Sequence, residues 1–361
     1  MSSRRAEMNR RADVPDIACP FPFSVNPHAE RARAHLRHWT HETGLIRGER
    51  ARRRFEHADF GWFAALVYPT APPERLDLLA DWFAWLFLVD DQLDDGSFGR
   101  SPEQLAEVIG QMREVLDRSP DETAAEPSPS PTPALAPSSR LPVVASLADL
   151  WRRTAEGTSA RWRARFAGHL AQCLTTAAVW EAGNRLSGRV PPEDEYVANR
   201  RHTGAIYVCM DLIEIAESAE LPPEIEESAA YLTALDAACD VVCWVNDVYS
   251  LAKERALGEF HNLVHIVGHQ RGLPDDKALC EVVRAVAGET ARYLAAEAEL
   301  RAAHPAPSRA LEGGLAGMRT WMRGNLDWSR RTHRYGADTA LPDGYLEPAL
   351  VEADGLVEAD R

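Results

Sequence analysis

Trp82-Phe-Ala-Trp-Leu-Phe-Leu-Val-Asp-Asp-Gln-Leu-Asp-Asp95 is the stretch from which the fold can be read. Its eight consecutive apolar residues, Trp82 to Val89, exceed what a half-exposed helix needs and fall far short of a membrane span, so the segment reads as a helix buried on nearly all sides. It then ends in four carboxylates within six positions. At about 100° per residue, Asp90 and Asp94 lie one turn apart on one face with Asp91 beside them, so the carboxylates converge at the mouth of whatever the apolar helix lines. Like charges that close destabilise the fold unless a cation neutralises them. Oxygen-only donors that cage an ion incompletely suit Mg2+ completed by water and a phosphate-bearing substrate. A lone Asp pair is more commonly a solvated helix end, and only a second acidic site changes that reading.

Such a site lies far downstream, in Asn246-Asp-Val-Tyr-Ser-Leu-Ala-Lys-Glu254. Asn246, Ser250 and Glu254 stand at i, i+4 and i+8, which stacks an amide oxygen, a hydroxyl and a carboxylate on one helix face over about 12 Å. The preceding Asp236-Ala-Ala-Cys-Asp-Val-Val-Cys-Trp-Val245 is largely apolar, so this polar ladder also emerges from a buried helix. Taken alone it is an ordinary polar face, with Lys253 and Glu254 as a surface ion pair.

The whole chain limits the choices. Its 361 residues, 45% of them apolar, can enclose a sizeable pocket, and a formal charge of 40 − 55 = −15 argues against nucleic-acid binding and against an anionic membrane surface. Six cysteines (Cys19, Cys173, Cys209, Cys239, Cys243, Cys280) lack CxxC spacing and read as reduced thiols of a cytoplasmic protein. The basic N-terminus has no apolar core of a secretory signal, and no run is long enough to span a membrane.

Around the two motifs the patterning is helical throughout. Residues 1–19 are expected to be disordered. A helix capped by Asn26-Pro27 runs to near Gly48, a helical pair covers Arg50 to Tyr68, and another helix runs from Ser101 to near Arg118. Residues 119–142 carry seven prolines among twenty-four positions. They read as a disordered insertion rather than a linker, because helices of the same kind resume beyond them. Further helices are expected over Leu141–Glu156, Ser159–Leu186, Pro192–Glu217, Glu224–Arg255, Asn262–Gln270, Pro274–Ala303 and Pro307–His333. Residues 337–361 are expected to be an acidic, mobile tail. No strand pattern occurs, so the fold class is all-α, a single helical domain over 20–336 around an apolar pocket.

The two motifs together resemble those of the bacterial class I terpene synthases. That family pairs D-D-x-x-D, here Asp90-Asp91-Gln92-Leu93-Asp94, with N-D-x-x-S-x-x-K-E, here complete from Asn246 to Glu254. A diphosphate-sensing arginine 46 residues before the Asn falls on Arg200, and a C-terminal Arg-Tyr pair is present as Arg334-Tyr335. The resemblance covers roughly Asn26 to Gly336. It implies three Mg2+ ions, with Mn2+ as a substitute, bound through Asp90, Asp94, Asn246, Ser250 and Glu254, with Asp91 and Asp247 supporting them. It assigns diphosphate binding to Arg200, Lys253, Arg334 and Tyr335, and a helix break aimed into the pocket to Thr203 and Gly204. The family often has Asp where this chain has Thr203, while Arg201 is expected to be structural.

The activity implied is ionisation of an acyclic prenyl diphosphate, farnesyl diphosphate by preference and geranylgeranyl diphosphate as the rival, followed by cyclisation and release of diphosphate. Phe83, Phe87 and Trp321 are the pocket aromatics expected to face the cation. Released diphosphate is the expected base, with no dedicated His. The protein is expected to act as a monomer or homodimer. A chain-elongating prenyl diphosphate synthase would need a second aspartate-rich motif and basic residues soon after the first, and Gly96-Ser-Phe-Gly-Arg100 does not supply them. A helical scaffold with incidental acidic patches is the non-enzymatic alternative, and it predicts no Mg2+-dependent ligand binding.

Overall fold

A computed structural model of the chain describes residues 14–95, 102–118 and 141–335. Among them there is no strand, and the helices are α1 (Ala29–Glu42), α2 (Glu49–Ala58), α3 (Phe60–Val67), α4 (Pro73–Asp95), α5 (Pro102–Asp117), α6 (Pro142–Ala155), α7 (Ala160–Thr175), α8 (Ala182–Ser187), α9 (Glu193–Thr203), α10 (Ile206–Glu217), α11 (Pro223–Glu226), α12 (Ala229–Leu257), α13 (Leu263–Arg271), α14 (Asp275–Ala303) and α15 (Arg309–Arg331). No described helix is long and apolar enough to cross a membrane.

The apolar run of α4 is buried from Trp82 through Trp85. Two fully buried indoles there find acceptors, Trp82 on Thr154 Oγ1 at 2.8 Å and Trp85 on the Val143 carbonyl at 2.9 Å, so α6 is fastened to α4 by donors as well as by packing. Full burial of a large apolar side chain contributes about 1.5–3 kcal/mol, and the indole bonds remove the penalty of a stranded N–H. Helix α4 also packs on α1, α3 and α10, while α12 packs on α9, α10, α14 and α15, and α15 returns to α3 and α10. The two motif helices thus both pack on α10 and line one apolar space.

Several boundaries differ from those expected. Helix α1 starts at Ala29, because Asn26 is used otherwise: its Nδ2 donates to the carbonyls of Tyr68 (3.0 Å) and Ala71 (2.8 Å), and its Oδ1 accepts from His28 N. The same helix ends at Glu42, short of Gly48, where the chain turns through Gly44 at φ +72°. The single helix expected over Ser159–Leu186 is divided by a π-helical segment, Thr176–Glu181. Only a short turn, Pro223–Glu226, precedes the true start of α12, whose cap is Ser228 accepting from Tyr231 N. Disorder up to residue 19 is corrected at its end: Ile17 is 3% exposed and Asp16 pairs with Arg330 at 2.7 Å. The insertion from 119 to 140 and the tail after Tyr335 lie outside the described residues, and Pro142 opens α6.

Helix α15 meets its neighbours through glycines. A Cβ at Gly324 would stand 2.8 Å from Val67 Cγ1 and 3.0 Å from the Leu66 backbone carbonyl carbon, so α3 and α15 touch where only a hydrogen fits. Gly324→Ala should therefore destabilise the protein by about 1–3 kcal/mol, since the obstacle includes backbone. Urea unfolding measures this, and an unchanged midpoint would contradict the close approach.

Candidate active site

Asp90 from α4 and Asn246, Ser250, Lys253 and Glu254 from α12 line one recess, with Arg200 from α9 and the Arg334-Tyr335 pair that follows α15. Phe87, Asp90, Arg200 and Asn246 also line a second, apolar cavity beneath it, so recess and cavity are continuous. That cavity has about 870 Å3 of space, its open mouth included, and Phe83 and Trp321 are in its wall together with Phe63, Cys173, Cys209 and Cys243. The side chain of Asp94 lies outside the described residues.

The second aspartate of each motif turns away from solvent and holds an arginine. Asp91, 8% exposed, receives two bonds of 2.9 Å from Arg334, and Lys253 Nζ stands 3.7 Å away. Burial pushes its carboxyl up, but Arg334 and Lys253 outweigh burial and bring it down to about 2. Asp247, fully buried, accepts from Arg200 Nε (3.0 Å), Tyr196 OH (2.8 Å) and Leu263 N (3.0 Å). Arg200 uses Nη2 on Asn246 Oδ1 at 2.9 Å, and Asn246 Nδ2 donates to Tyr335 OH at 2.6 Å. Burial disfavours the charged guanidinium of Arg200, yet Asp247 and its neighbours raise its pKa well above the ordinary value.

Oxygen donors face the recess. Asp90 keeps nearly half of its side chain exposed, 3.5 Å from Arg334 Nη2. The Ser250 hydroxyl is buried without a protein partner, an orphan at the position where the ladder offers a ligand. Burial, and then Asp247, push the Glu254 carboxyl up, as expected where an oxyanion is held for a cation. Among the described residues no group of three or more His, Cys, Asp or Glu has metal-holding geometry. The donors that do meet are an amide, a hydroxyl and two carboxylates, all hard oxygens of the kind that fit Mg2+.

The helix break is present but built differently from the expectation. Helix α9 ends at Thr203, and Gly204 has φ −74°, an ordinary value; the left-handed residue is Ala205, at φ +55°. Glycine at 204 answers to space: a Cβ would lie 3.1 Å from Arg200 O, 3.2 Å from Arg200 Nη1 and 3.3 Å from Cys243 Sγ. Arg201 is tied to Asp240 by two bonds of 2.7 Å and to Asp236 at 2.8 Å, outside the recess.

Sequence reasoning missed the residues that brace this arrangement. Asn262 caps α13 with Oδ1 while its Nδ2 donates to the Asp247 carbonyl and to Glu254 Oε2, both at 2.7 Å. Glu259 accepts from Arg185 and from His261, and Glu181 and Arg185 line the recess. The signal available was the polar run Glu259-Phe-His-Asn262 directly after the second motif, which marks a cap as readily as a site.

A family model described as terpene synthase family 2, C-terminal metal binding, matches residues 81–292. The chain is similar to pristinol synthase of Streptomyces pristinaespiralis, 34% identical over 88% of this chain and 84% of that enzyme. It is 32% identical to (+)-T-muurolol synthase ((2E,6E)-farnesyl diphosphate cyclizing) of Roseiflexus castenholzii, over 88% and 93% of the two chains. Its fold matches the solved germacradien-4-ol synthase from Streptomyces citricolor with a TM-score of 0.73, at 27% identity, covering 89% of this chain and 99% of that one.

Arg334→Ala should cost about 3 kcal/mol, because it strands a buried carboxylate, and should expose the Thr332–Tyr335 segment to protease. Asp91 has a folded pKa of about 2, below its unfolded value of about 3.9, so the pair's contribution is full above the unfolded pKa and is lost as pH falls through about 2. Urea titrations of both proteins from pH 7 downward should show the difference shrinking below about pH 4. A pH-independent difference would rule out the ion pair as its source.

Proposed function

The chain belongs to the bacterial class I terpene synthases, carbon–oxygen lyases acting on phosphates, and from that membership we propose that it is a Mg2+-dependent cyclase of farnesyl diphosphate. The observation that carries the proposal is the continuity of a charged recess with an aromatic cavity through Phe87, Asp90, Arg200 and Asn246. A C15 substrate is favoured by the relative whose name gives (2E,6E)-farnesyl diphosphate as the compound it cyclises.

In this reading Asp90, Asn246, Ser250 and Glu254 hold Mg2+, with Asp94 completing the first motif. Bound Mg2+ neutralises the diphosphate and eases departure of the allylic oxygen. Arg200, Lys253, Arg334 and Tyr335 bind the diphosphate oxygens, three of them cationic donors already fixed by carboxylates and so needing little reorganisation. Asp247 and Asp91 orient those donors. Phe83, Phe87 and Trp321 present ring faces to the allylic cation and keep bulk water from it. The released diphosphate takes the final proton.

Incubation of the purified protein and Mg2+ with C10, C15 and C20 prenyl diphosphates separately, read by gas chromatography–mass spectrometry, should give cyclic products chiefly from C15. Asn246→Ala and Arg200→Ala should each lower diphosphate release on the order of 100-fold with the fold retained. Wild-type turnover by either variant would overturn the site assignment.

A further inference from the structure

The wall of the apolar cavity contains two polar side chains that the ionisation step does not use. Thr203 is 6% exposed and its hydroxyl has no hydrogen-bond partner. Elsewhere in the chain buried helical threonines bond back one turn, as Thr40 does to Leu36 O (2.8 Å), Thr154 to Leu150 O (2.7 Å) and Thr290 to Val286 O (2.8 Å). Thr203, a buried helical threonine like these three, does not. An unmade bond at a buried hydroxyl is expensive, so the group calls for a ligand.

Asn325 is the second. It lies one turn beyond Trp321 on α15, is 2% exposed, and lines the same cavity. Its side chain makes one hydrogen bond among the described residues, Nδ2 to the Val242 carbonyl at 3.1 Å. A carboxamide has two donors and an acceptor with two lone pairs, so this bond leaves its oxygen and one N–H without a protein match.

Both groups line the same cavity beside consecutive positions of α12. Asn325 bonds to Val242, and Gly204, next to Thr203, backs onto Cys243 Sγ. Apart from Asp90, Arg200 and Asn246, which the cavity shares with the recess, the rest of the wall is hydrocarbon, aromatic ring or thiol, with burial pushing the Cys173 and Cys243 thiols up to about 12 and keeping them neutral. A buried water needs two to four polar partners, and Thr203 and Asn325 offer two away from the charged residues Asp90 and Arg200.

We propose that Thr203 and Asn325 hold one ordered water inside the hydrocarbon cavity, and that this water adds to the last carbocation, so that the product is a terpene alcohol. The inference rests on the cyclase reading above. In the step, a lone pair of the water oxygen forms a C–O bond to the cationic carbon, one O–H bond breaks, and the proton passes to the released diphosphate. Prenyl diphosphate and water give terpene alcohol and diphosphate, with nothing oxidised or reduced. Holding the water by two hydrogen bonds separates it from the nascent allylic cation until cyclisation has moved the charge to its side of the cavity.

The test is turnover of farnesyl diphosphate by the whole protein in 18O-enriched water. Mass spectrometry should show a major C15 alcohol carrying one 18O. Asn325→Leu and Thr203→Val should each lower the alcohol-to-hydrocarbon ratio roughly tenfold, the effect of one lost hydrogen bond to the nucleophile, whereas Thr203→Ser should keep it near wild type. The ratio is read per product formed and does not depend on rate or yield of folded enzyme. Hydrocarbon as the main wild-type product, alcohol without 18O, or an unchanged ratio in both variants would overturn the water site while diphosphate release still upheld the cyclase. No release from C10, C15 or C20 substrate would overturn both.

Discussion

Two buried carboxylates, Asp91 and Asp247, hold this structure's chemistry in place, each gripping one arginine. Removing a charge pair from water is costly, and the attraction repays that only when the geometry is good and the remaining lone pairs are satisfied. Both conditions are met: Asp91 takes a two-pronged contact from Arg334 with Lys253 nearby, and Asp247 takes Arg200, a tyrosine hydroxyl and a backbone N–H. Through these bonds α4 is locked to the segment after α15, and α12 to α9 and the start of α13. The adjacent residues, Asp90 and Asn246, are thereby turned toward the recess.

From that lock follows the separation of charge from hydrocarbon. Arg334 closes the rim and also stacks over the Phe87 ring, 4.7 Å from its centroid, so one guanidinium joins the ionic layer to the aromatic one. Below it Phe63 stacks on Trp328 at 4.2 Å and Phe83 on Trp321 at 5.4 Å, which fixes the faces presented to the cavity. In the proposed reaction a cation formed there would be screened by rings, and the groups proposed to bind the diphosphate would stay at the mouth. The same low polarity that makes the ion pairs strong would make a stranded charge intolerable, so Asp91 and Asp247 are each held by an arginine.

How much of this is legible in the chain depends on whether a residue's role is periodic. The eight-residue apolar run and the i, i+4, i+8 ladder specify helices and faces directly, and the structure brings Asp90, Asn246, Ser250 and Glu254 to one recess. Asn26 misleads because an amide before a proline reads as a cap, while in the fold it ties the chain to the turn at Tyr68 and Ala71. The π-helical segment ending at Glu181 leaves no trace in a 3.6-residue pattern, since a single inserted residue shifts the register without changing composition. Asn262 and Tyr196 escape for another reason: their partners are a carboxylate and a carbonyl brought near only by the packing of α9 and α13 on α12.

The break between α9 and α10 shows the limit most clearly, because two adjacent positions there have opposite needs. A Cβ at position 204 would crowd Arg200 and Cys243, which would have to give way by a few tenths of an ångström; position 205 adopts a left-handed backbone. A sequence reader credits the glycine with the turn. In the structure the glycine is spent on the close approach, and Ala205 carries a conformation that costs an alanine about 1–2 kcal/mol. Such strain persists only when the surroundings over-determine it. Here they do: Gly204 N bonds to Arg200 O at 2.9 Å, Ala205 N to His202 O at 2.8 Å, and Arg200 is itself pinned by Asp247. The Asp247 carboxylate that orients the Arg200 guanidinium therefore also fixes the side chain against which Gly204 packs.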